Sequence, residues 1–179
     1  GKSGCGNYSG NMTGFFMRKY LNESMPQPEV VENYSEQHWI EFRYAEALLN
    51  GVEAAVEMGQ HLDDALLWIN DIRKRADIKL LAQDDLTVDR VRHERRIELA
   101  FENHTYWDLR RWRIADKEIE AKQYTALYPY FDINKQKYVY EEANANKYYY
   151  TFHTKMYYER IPDGEIAKNE KLIQNPYYN

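Results

Sequence analysis

The sequence predicts a mainly helical protein with a tetratricopeptide-like helix pair and an irregular, tyrosine-rich C-terminal segment carrying short β-strands. Between Ile40 and Ala76, apolar residues recur at three- and four-residue steps, which places them on one face of a helix. Twelve of the 17 tyrosines lie between Tyr124 and Tyr178, in runs that alternate in places as strands do. We therefore divide a single region, 1–179, into a lead-in (1–35), a helical part (36–119) and a tail (120–179).

The helix pair is predicted from two apolar stripes separated by a glycine. The first helix begins near Glu36 and ends at Gly59, a residue type that commonly follows a helix. The second helix carries its stripe from Leu62 to Ala76. Two amphipathic helices joined by about three residues fold back on each other and resemble one tetratricopeptide repeat. One repeat cannot close a core alone, so another part of the protein must cover it.

Two further helices and then short strands follow the pair. Thr87 is a suitable N-cap for a third helix that runs to about Glu102, and a fourth helix is expected over Thr105–Ile119. In the tail, Lys137–Tyr140 alternates as a strand does. Turns or breaks are expected at Pro129, Asn134-Lys135, Asn144–Asn146 and Pro162–Gly164.

Composition excludes several function classes. A net charge of −5 argues against nucleic acid as a partner, because binding phosphates requires a basic surface. The single cysteine, Cys5, excludes an intrachain disulfide and a cysteine-based metal site. Ser3-Gly4-Cys5 resembles the end of a lipidation signal, but the apolar stretch that such a signal needs is missing, so Cys5 is interpreted as a free thiol. No apolar run approaches the ~20 residues that span a membrane.

The third helix is crowded with arginine and glutamate. Glu98 and Glu102 stand one turn apart, and two like charges at that spacing destabilise a helix unless cations bridge them. Arginine suits this role because its planar guanidinium donates two hydrogen bonds to a carboxylate at once. We expect an ion-pair network that fixes how the helices dock, formed by Arg43, Glu46, Arg95, Glu98, Glu102, Asp108, Arg110 and Arg111.

A catalytic alternative assigns an acid/base pair to the carboxylates at Glu94, Glu98, Glu102 or Asp108. Surrounding arginines lower a carboxyl pKa, which suits ion pairing better than proton donation. His93-Glu94 begins like the zinc-protease motif HExxH, but Ile97 occupies the second ligand position. The other histidines show no ligand spacing, and no phosphate-binding loop is present. We therefore expect no catalytic residues, no metal site and no cofactor.

Five segments, read in chain order, resemble the C-terminal part of the SusD/RagB family of outer-membrane nutrient-binding lipoproteins. They are Thr13–Tyr20, Phe42–Asn50 (FRYAEALLN), Ile69–Ala76 (INDIRKRA), Glu94–Trp112, and Ile161-Pro162 with Gln174–Pro176. The chain departs from the family pattern at Asn103 and Tyr177, where the family usually has glycine. It also departs at Thr105, where arginine is usual, and at Arg160, where proline is common.

The resemblance implies an α-α superhelix of tetratricopeptide-like repeats that captures oligosaccharides or other nutrients without catalysis. Its partner would be a SusC-like TonB-dependent transporter, and its location the cell surface, on the outer membrane, through an N-terminal lipid absent from this chain. Family members bind sugars by stacking aromatic side chains on them. The candidate ligand-binding residues are Tyr128, Tyr130, Tyr138 and Tyr140, with Tyr148, Tyr149 and Tyr150 as further aromatic candidates.

Two other functions remain open from the sequence. The first is a stand-alone helical repeat module that binds a protein or peptide in the groove of its helix pair. The second is a hydrolase that uses the Glu/Asp cluster. Replacing Glu98 or Glu102 by glutamine separates a hydrolase from a structural ion-pair network. A hydrolase would stay folded and lose activity, while a structural network would lose stability.

Overall fold

The computed structural model describes residues 2–4, 17–29, 31, 35–145 and 148–178. Cys5 and the first half of the segment at 13–20 lie outside these residues. The chain divides into two compact units, one of residues 18–108 and one of residues 1–17 with 109–179. The sequence predicted a single region, and each unit is described separately below.

The unit of residues 18–108 is built on three helices. They are α1 (Tyr44–Met58), α2 (Leu62–Arg75) and α3 (Val88–Glu98). Gly59 ends α1 in a left-handed conformation at φ 66°, and its N–H is bonded to carbonyls of the last turn, as predicted. At the start of α3, the Thr87 hydroxyl accepts a hydrogen bond from the Arg90 N–H, which confirms the predicted N-cap.

The core of this unit lies between α1 and α2 and is closed by α3. Val52 of α1 packs with Ala65 and Ile69 of α2, and all three are fully buried. Val91 of α3 joins this cluster, and Leu99, just after α3, joins a second one around Leu49. The third helix therefore supplies part of the cover that the helix pair alone lacks.

The first helix starts later than predicted. Residues 35–43 are not helical, and α1 begins at Tyr44 rather than near Glu36. Arg43, the residue before the helix, has an extended backbone at φ −149° and ψ 162°. Its side chain contacts Glu98 at the end of α3 and Glu102 beyond it, and the extended backbone places Arg43 outside the helical turn. The apolar spacing from Ile40 continued the helical period by coincidence, so the sequence misplaced the start.

Left-handed residues divide the segment that the sequence predicted as two helices. The third helix ends at Glu98 rather than Glu102, and Phe101 and Asn103 have φ of 66° and 63°. The predicted helix over Thr105–Ile119 is two helices, α4 (His104–Arg111) and α5 (Ala115–Ile119), separated at Arg113 with φ 58°. An L-residue in this conformation cannot continue a right-handed helix.

The other unit contains an antiparallel sheet in the order β1–β2–β3. The strands are β1 (Lys2–Gly4), β2 (Thr125–Asp132) and β3 (Lys137–Asn144). The turn between β2 and β3 contains Asn134-Lys135, as predicted, and the Asp132 carboxylate accepts hydrogen bonds from both backbone N–H groups. Pro129, predicted as a break, lies inside β2 opposite Tyr140. A proline removes a single donor from a strand, and the rest of the ladder can still form.

The remainder of the tail is less irregular than the sequence predicted. Asp163–Lys168 forms a short helix, α6, where a turn was expected. Tyr177 has φ 70°, so both positions at which the family usually has glycine, 103 and 177, are left-handed here. The described helices include none with the length and apolar character needed to cross a membrane. A mainly helical chain with short strands confirms the predicted fold class.

Replacing Gly59 by alanine is expected to lower the unfolding free energy by about 1 kcal/mol, because a Cβ is strained at φ 66°. Gly164, in the first turn of α6, has an ordinary φ and open space around its Cβ position, so Gly164→Ala is the matched control. It should leave stability unchanged or raise it slightly. Urea denaturation of both variants measures the difference, and equal effects would contradict the capping role of Gly59.

Candidate functional site

Arg43 lies at the centre of the ion-pair network. Its Nε donates to Glu102 Oε2 at 2.7 Å, and its Nη1 donates to Glu98 Oε1 at 2.6 Å. Its Nη2 donates to the Glu98 carbonyl at 2.7 Å and to Glu102 Oε1 at 3.0 Å. The two carboxylates that would repel each other along a continuous helix are thus bridged by one guanidinium.

Lys19 completes this cluster from the other side. Its ammonium group donates to Glu102 Oε1 at 2.5 Å and to the carbonyls of Ala100 at 2.8 Å and Glu98 at 3.2 Å. The last carbonyls of a helix have no partner within the helix, and cations near them are favourable. Lys19 and Arg43 therefore hold the C-terminal end of α3 as well as Glu102.

Two arginines near the end of α2 extend the network to α3. Arg75 donates to both oxygens of Glu98, at 2.6 and 2.7 Å. Arg73 donates to Glu94 at 2.5 Å and, through Nε, to the Lys79 carbonyl at 2.7 Å. These contacts tie α3 to α2 through charge-assisted hydrogen bonds, in addition to the apolar core.

Arg95 is buried, with 4% of its side chain exposed. It donates to Asp108 of α4 at 2.7 Å and to the amide oxygen of Asn50 of α1 at 2.7 Å. Glu46 lies 3.9 Å from the same guanidinium and 3.6 Å from His104 Nε2. Arg95, which we predicted as a member of the network, joins α3 to α1 through Asn50 and to α4 through Asp108.

Burial and pairing act in opposite directions on Glu102, whose side chain is 1% exposed. Burial raises the pKa of a carboxyl group, but the hydrogen bonds and charges of Arg43 and Lys19 outweigh it and hold the Glu102 pKa below its ordinary value. Glu102 is therefore ionised at neutral pH. A general acid needs the opposite shift, so this carboxyl is suited to pairing and not to proton donation.

Six of the eight residues that we predicted for the network lie in the unit of residues 18–108, in two groups of three. Arg43 holds Glu98 and Glu102, while Arg95 contacts Asp108 and lies near Glu46. The remaining two, Arg110 and Arg111, lie over aromatic rings, those of Phe152 and Trp112 respectively.

Sequence reasoning missed Lys19, Asn50, Arg73 and Arg75. The last two lie in the motif Ile69–Ala76, whose three cations could have been read as partners for the α3 carboxylates. Lys19 gives no such signal, because it lies far from the helices in sequence.

The four candidate tyrosines of the sheet divide between its two faces. Opposed residues of an antiparallel pair share a face, and Tyr138 and Tyr140 are opposite Phe131 and Pro129. Tyr128 and Tyr130 are displaced by one residue and lie on the other face. The four therefore cannot form one platform, but Tyr138 and Tyr140 are neighbours on one face and each is 56% exposed.

Other tail tyrosines make structural contacts. The Tyr157 hydroxyl donates to Asp116 at 2.6 Å, which lowers the pKa of that carboxyl. The Arg113 guanidinium lies over the rings of Tyr157 and Tyr158, 4.8 Å from each centroid. Tyr150 makes an edge contact with Tyr124, whereas Tyr148 and Tyr149 are exposed.

Metal chemistry finds no support among the described residues. Across 17–29, 35–145 and 148–178, no three His, Cys, Asp or Glu side chains are grouped as ligands of an ion. The carboxylates that do cluster are bound by arginine and lysine, which compete with any cation.

Glu102→Gln is expected to lower the unfolding free energy by about 3–5 kcal/mol, because it leaves Arg43 and Lys19 facing a neutral, buried amide. Glu23→Gln is the matched control: Glu23 is also bound by an arginine, Arg18, but both side chains are exposed. It should change stability little. Chemical denaturation measures both variants, and a Glu102→Gln protein as stable as the wild type would contradict the structural role of the network.

The lowered pKa of Glu102 also predicts a pH dependence. An unfolded chain takes up a proton at the ordinary glutamate pKa of about 4.3, while the folded protein keeps Glu102 charged to lower pH. The stabilisation by Glu102 is therefore complete above that pKa and is lost as pH falls below it. Between about pH 5 and pH 3, the unfolding free energy of the wild type should fall more steeply than that of Glu102→Gln. Parallel pH profiles would show that Glu102 is not the titrating group.

This chain is similar to proteins described as SusD-like. A curated relative, SusD-like protein P2 of Formosa agariphila, is 27% identical over 151 residues, which cover 79% of this chain and 26% of the relative. A solved SusD-like protein from Bacteroides fragilis matches with TM-score 0.61 and 29% identity, covering 78% of this chain and 26% of that one. A SusD superfamily protein from Parabacteroides distasonis, at 23% identity and TM-score 0.51, shares the fold over 80% of this chain and 28% of its own.

The chain thus spans about a quarter of the length of these relatives. A family model described as the SusD family matches residues 1–178, which confirms the resemblance seen in the motifs. Helices α1 and α2, the arginines at the end of α2 and the ion-pair network lie within that match. The chain belongs to the SusD family.

Proposed function

We propose that this protein binds nutrient oligosaccharides at the bacterial outer surface, without catalysis, and delivers them to a SusC-like TonB-dependent transporter. Membership of the SusD family supports nutrient binding at the cell surface. The proposal places the protein on the outer membrane through an N-terminal lipid.

The observation that carries the proposal in this chain is the exposed tyrosine pair on the sheet. Tyr138 and Tyr140 lie two residues apart on one face of β3, each 56% exposed. The Phe131 ring packs edge-on against Tyr138, with centroids 5.3 Å apart, and this contact restricts the orientation of the tyrosine. Apolar ring faces with a polar hydroxyl tip suit a sugar, which presents C–H groups on one side and hydroxyls at its edge.

A non-catalytic role is supported by the state of the carboxylates. A glycoside hydrolase needs one carboxyl with a raised pKa and a second one facing it across the scissile bond. Here Glu98, Glu102 and Asp108 accept hydrogen bonds from arginine, and the Glu102 pKa is lowered. These groups are already bound by cations of the same unit, so they are not available as a general acid.

Replacing both tyrosines, Tyr138→Ala with Tyr140→Ala, should weaken oligosaccharide binding by about three- to tenfold per ring, since an aromatic contact contributes ~0.5–1.5 kcal/mol. Isothermal titration calorimetry on the full gene product, with a panel of oligosaccharides, measures the dissociation constants. Tyr177→Ala is the matched control, because Tyr177 belongs to the same unit, is 69% exposed and lies outside the strands.

Two results would contradict the proposal. A wild-type protein that binds peptides but none of the oligosaccharides would favour the helical repeat module that binds a peptide in the groove of its helix pair. Release of reducing ends from the oligosaccharides by the wild type, lost in Glu98→Gln while the fold is kept, would favour a hydrolase.

A further inference from the structure

A pocket lies in the unit of residues 18–108, at the start of α4. It is remote in sequence from the sheet tyrosines. Its volume is about 210 Å³. Two tryptophans, Trp39 and Trp107, line it together with Glu41, Asn103 and His104. None of these five side chains takes part in the hydrogen bonds by which Arg43 and Lys19 bind Glu102.

Both tryptophan rings are exposed and held in fixed orientations. Trp39 is 49% exposed and Trp107 is 65% exposed. The Tyr20 ring stacks on Trp39 with centroids 5.3 Å apart and an interplanar angle of 15°. The Tyr106 ring meets Trp107 edge-on, with centroids 4.9 Å apart. Exposed tryptophans whose rings are already oriented offer apolar faces to a ligand at low entropic cost.

The polar side chains of the pocket provide hydrogen-bonding groups beside these rings. Glu41 and Asn103 are exposed at its edge, and the half-buried imidazole of His104 begins α4. Glu102 also borders the pocket, but its oxygens are bound by Arg43 and Lys19. The free acceptor is therefore Glu41, and the Asn103 amide can both donate and accept.

Asn103 adds a polar side chain to the pocket from a left-handed turn. The backbone at this position is left-handed, with φ 63°, a conformation that glycine adopts most readily. Asparagine tolerates it and adds an amide group beside Trp107 at the pocket. The polar group is thus an addition to a turn that glycine could form without it.

We infer that this pocket binds one ring of a neutral oligosaccharide, as a second sugar-binding site distinct from the sheet tyrosines. This inference rests on the proposed function, since it assigns a further site to the same class of ligand. Flat C–H faces of a sugar ring match the tryptophans, and its hydroxyls match the carboxylate, amide and imidazole. Among the described residues that line the pocket there is no lysine or arginine, and Glu41 is negative, so uronic and sulfated sugars are disfavoured.

The test uses calorimetry on the full gene product with maltohexaose, cellohexaose, laminarihexaose and xylohexaose, and with an oligogalacturonate as the acidic probe. Trp39→Ala and Trp107→Ala should each weaken binding of the neutral oligosaccharide that the wild type prefers by about three- to tenfold. The acidic probe should bind more weakly than the neutral one. Tyr44→Ala is the matched control, because Tyr44 is 75% exposed in the same unit and lines a different pocket.

Asn103→Gly provides a variant that keeps the fold. It removes the amide and leaves a residue that adopts φ 63° without strain, so the melting temperature should be unchanged while sugar binding weakens several-fold. If Trp39→Ala, Trp107→Ala and Asn103→Gly all bind the neutral oligosaccharide with wild-type affinity, the second site is overturned. The proposed function would then remain intact. A wild type that binds none of the oligosaccharides would overturn both.

Discussion

The helical unit depends on the hydrogen-bonded ion pairs of Arg43 with Glu98 and Glu102. Glu102 is almost fully buried, and a buried carboxylate without a partner is strongly unfavourable. Arg43 can reach it because the backbone before α1 is extended, so the same contact fixes where α1 begins. Lys19 brings the segment before the helices to the end of α3. The apolar core defines which faces meet, and these ion pairs hold the start of α1 and the end of α3.

Local signals in the sequence were sufficient for the helix pair and for the end of its first helix, and insufficient for the start of that helix. The spacing of Val52, Ala65 and Ile69 gave the buried faces of α1 and α2 because a single face is buried in each helix. Gly59 and Thr87 were identified because a cap depends on neighbouring backbone alone. The start of α1 was wrong because it depends on a partner more than fifty residues away, and apolar spacing carries no information about such a partner.

The ion-pair network shows the same limit at the level of side chains. The like charges of Glu98 and Glu102 predicted bridging cations, and in the structure Arg43 contacts both carboxylates. Which cations do so depends on the packing of α2 against α3, and a sequence with 24 lysines and arginines offers many alternatives. Arg75 and Lys19 bind these carboxylates, whereas Arg95 turns to Asp108 and Asn50. In the sheet, alternation was recognisable, but the separation of Tyr128 from Tyr138 required the register.

Charged and aromatic side chains have separate roles in this chain, and the reason is electrostatic. A carboxylate that is buried and bound by arginine has its hydrogen-bonding capacity used within the fold, and removing its partners costs stability. Such groups cannot bind a ligand and hold the helices together at the same time. In the proposed function, ligand contacts are made instead by exposed aromatic rings and the polar side chains beside them. The exposed rings of Trp39, Trp107, Tyr138 and Tyr140 belong to this second class. Asn103, in a turn that glycine could form, adds a polar group without disturbing a single ion pair.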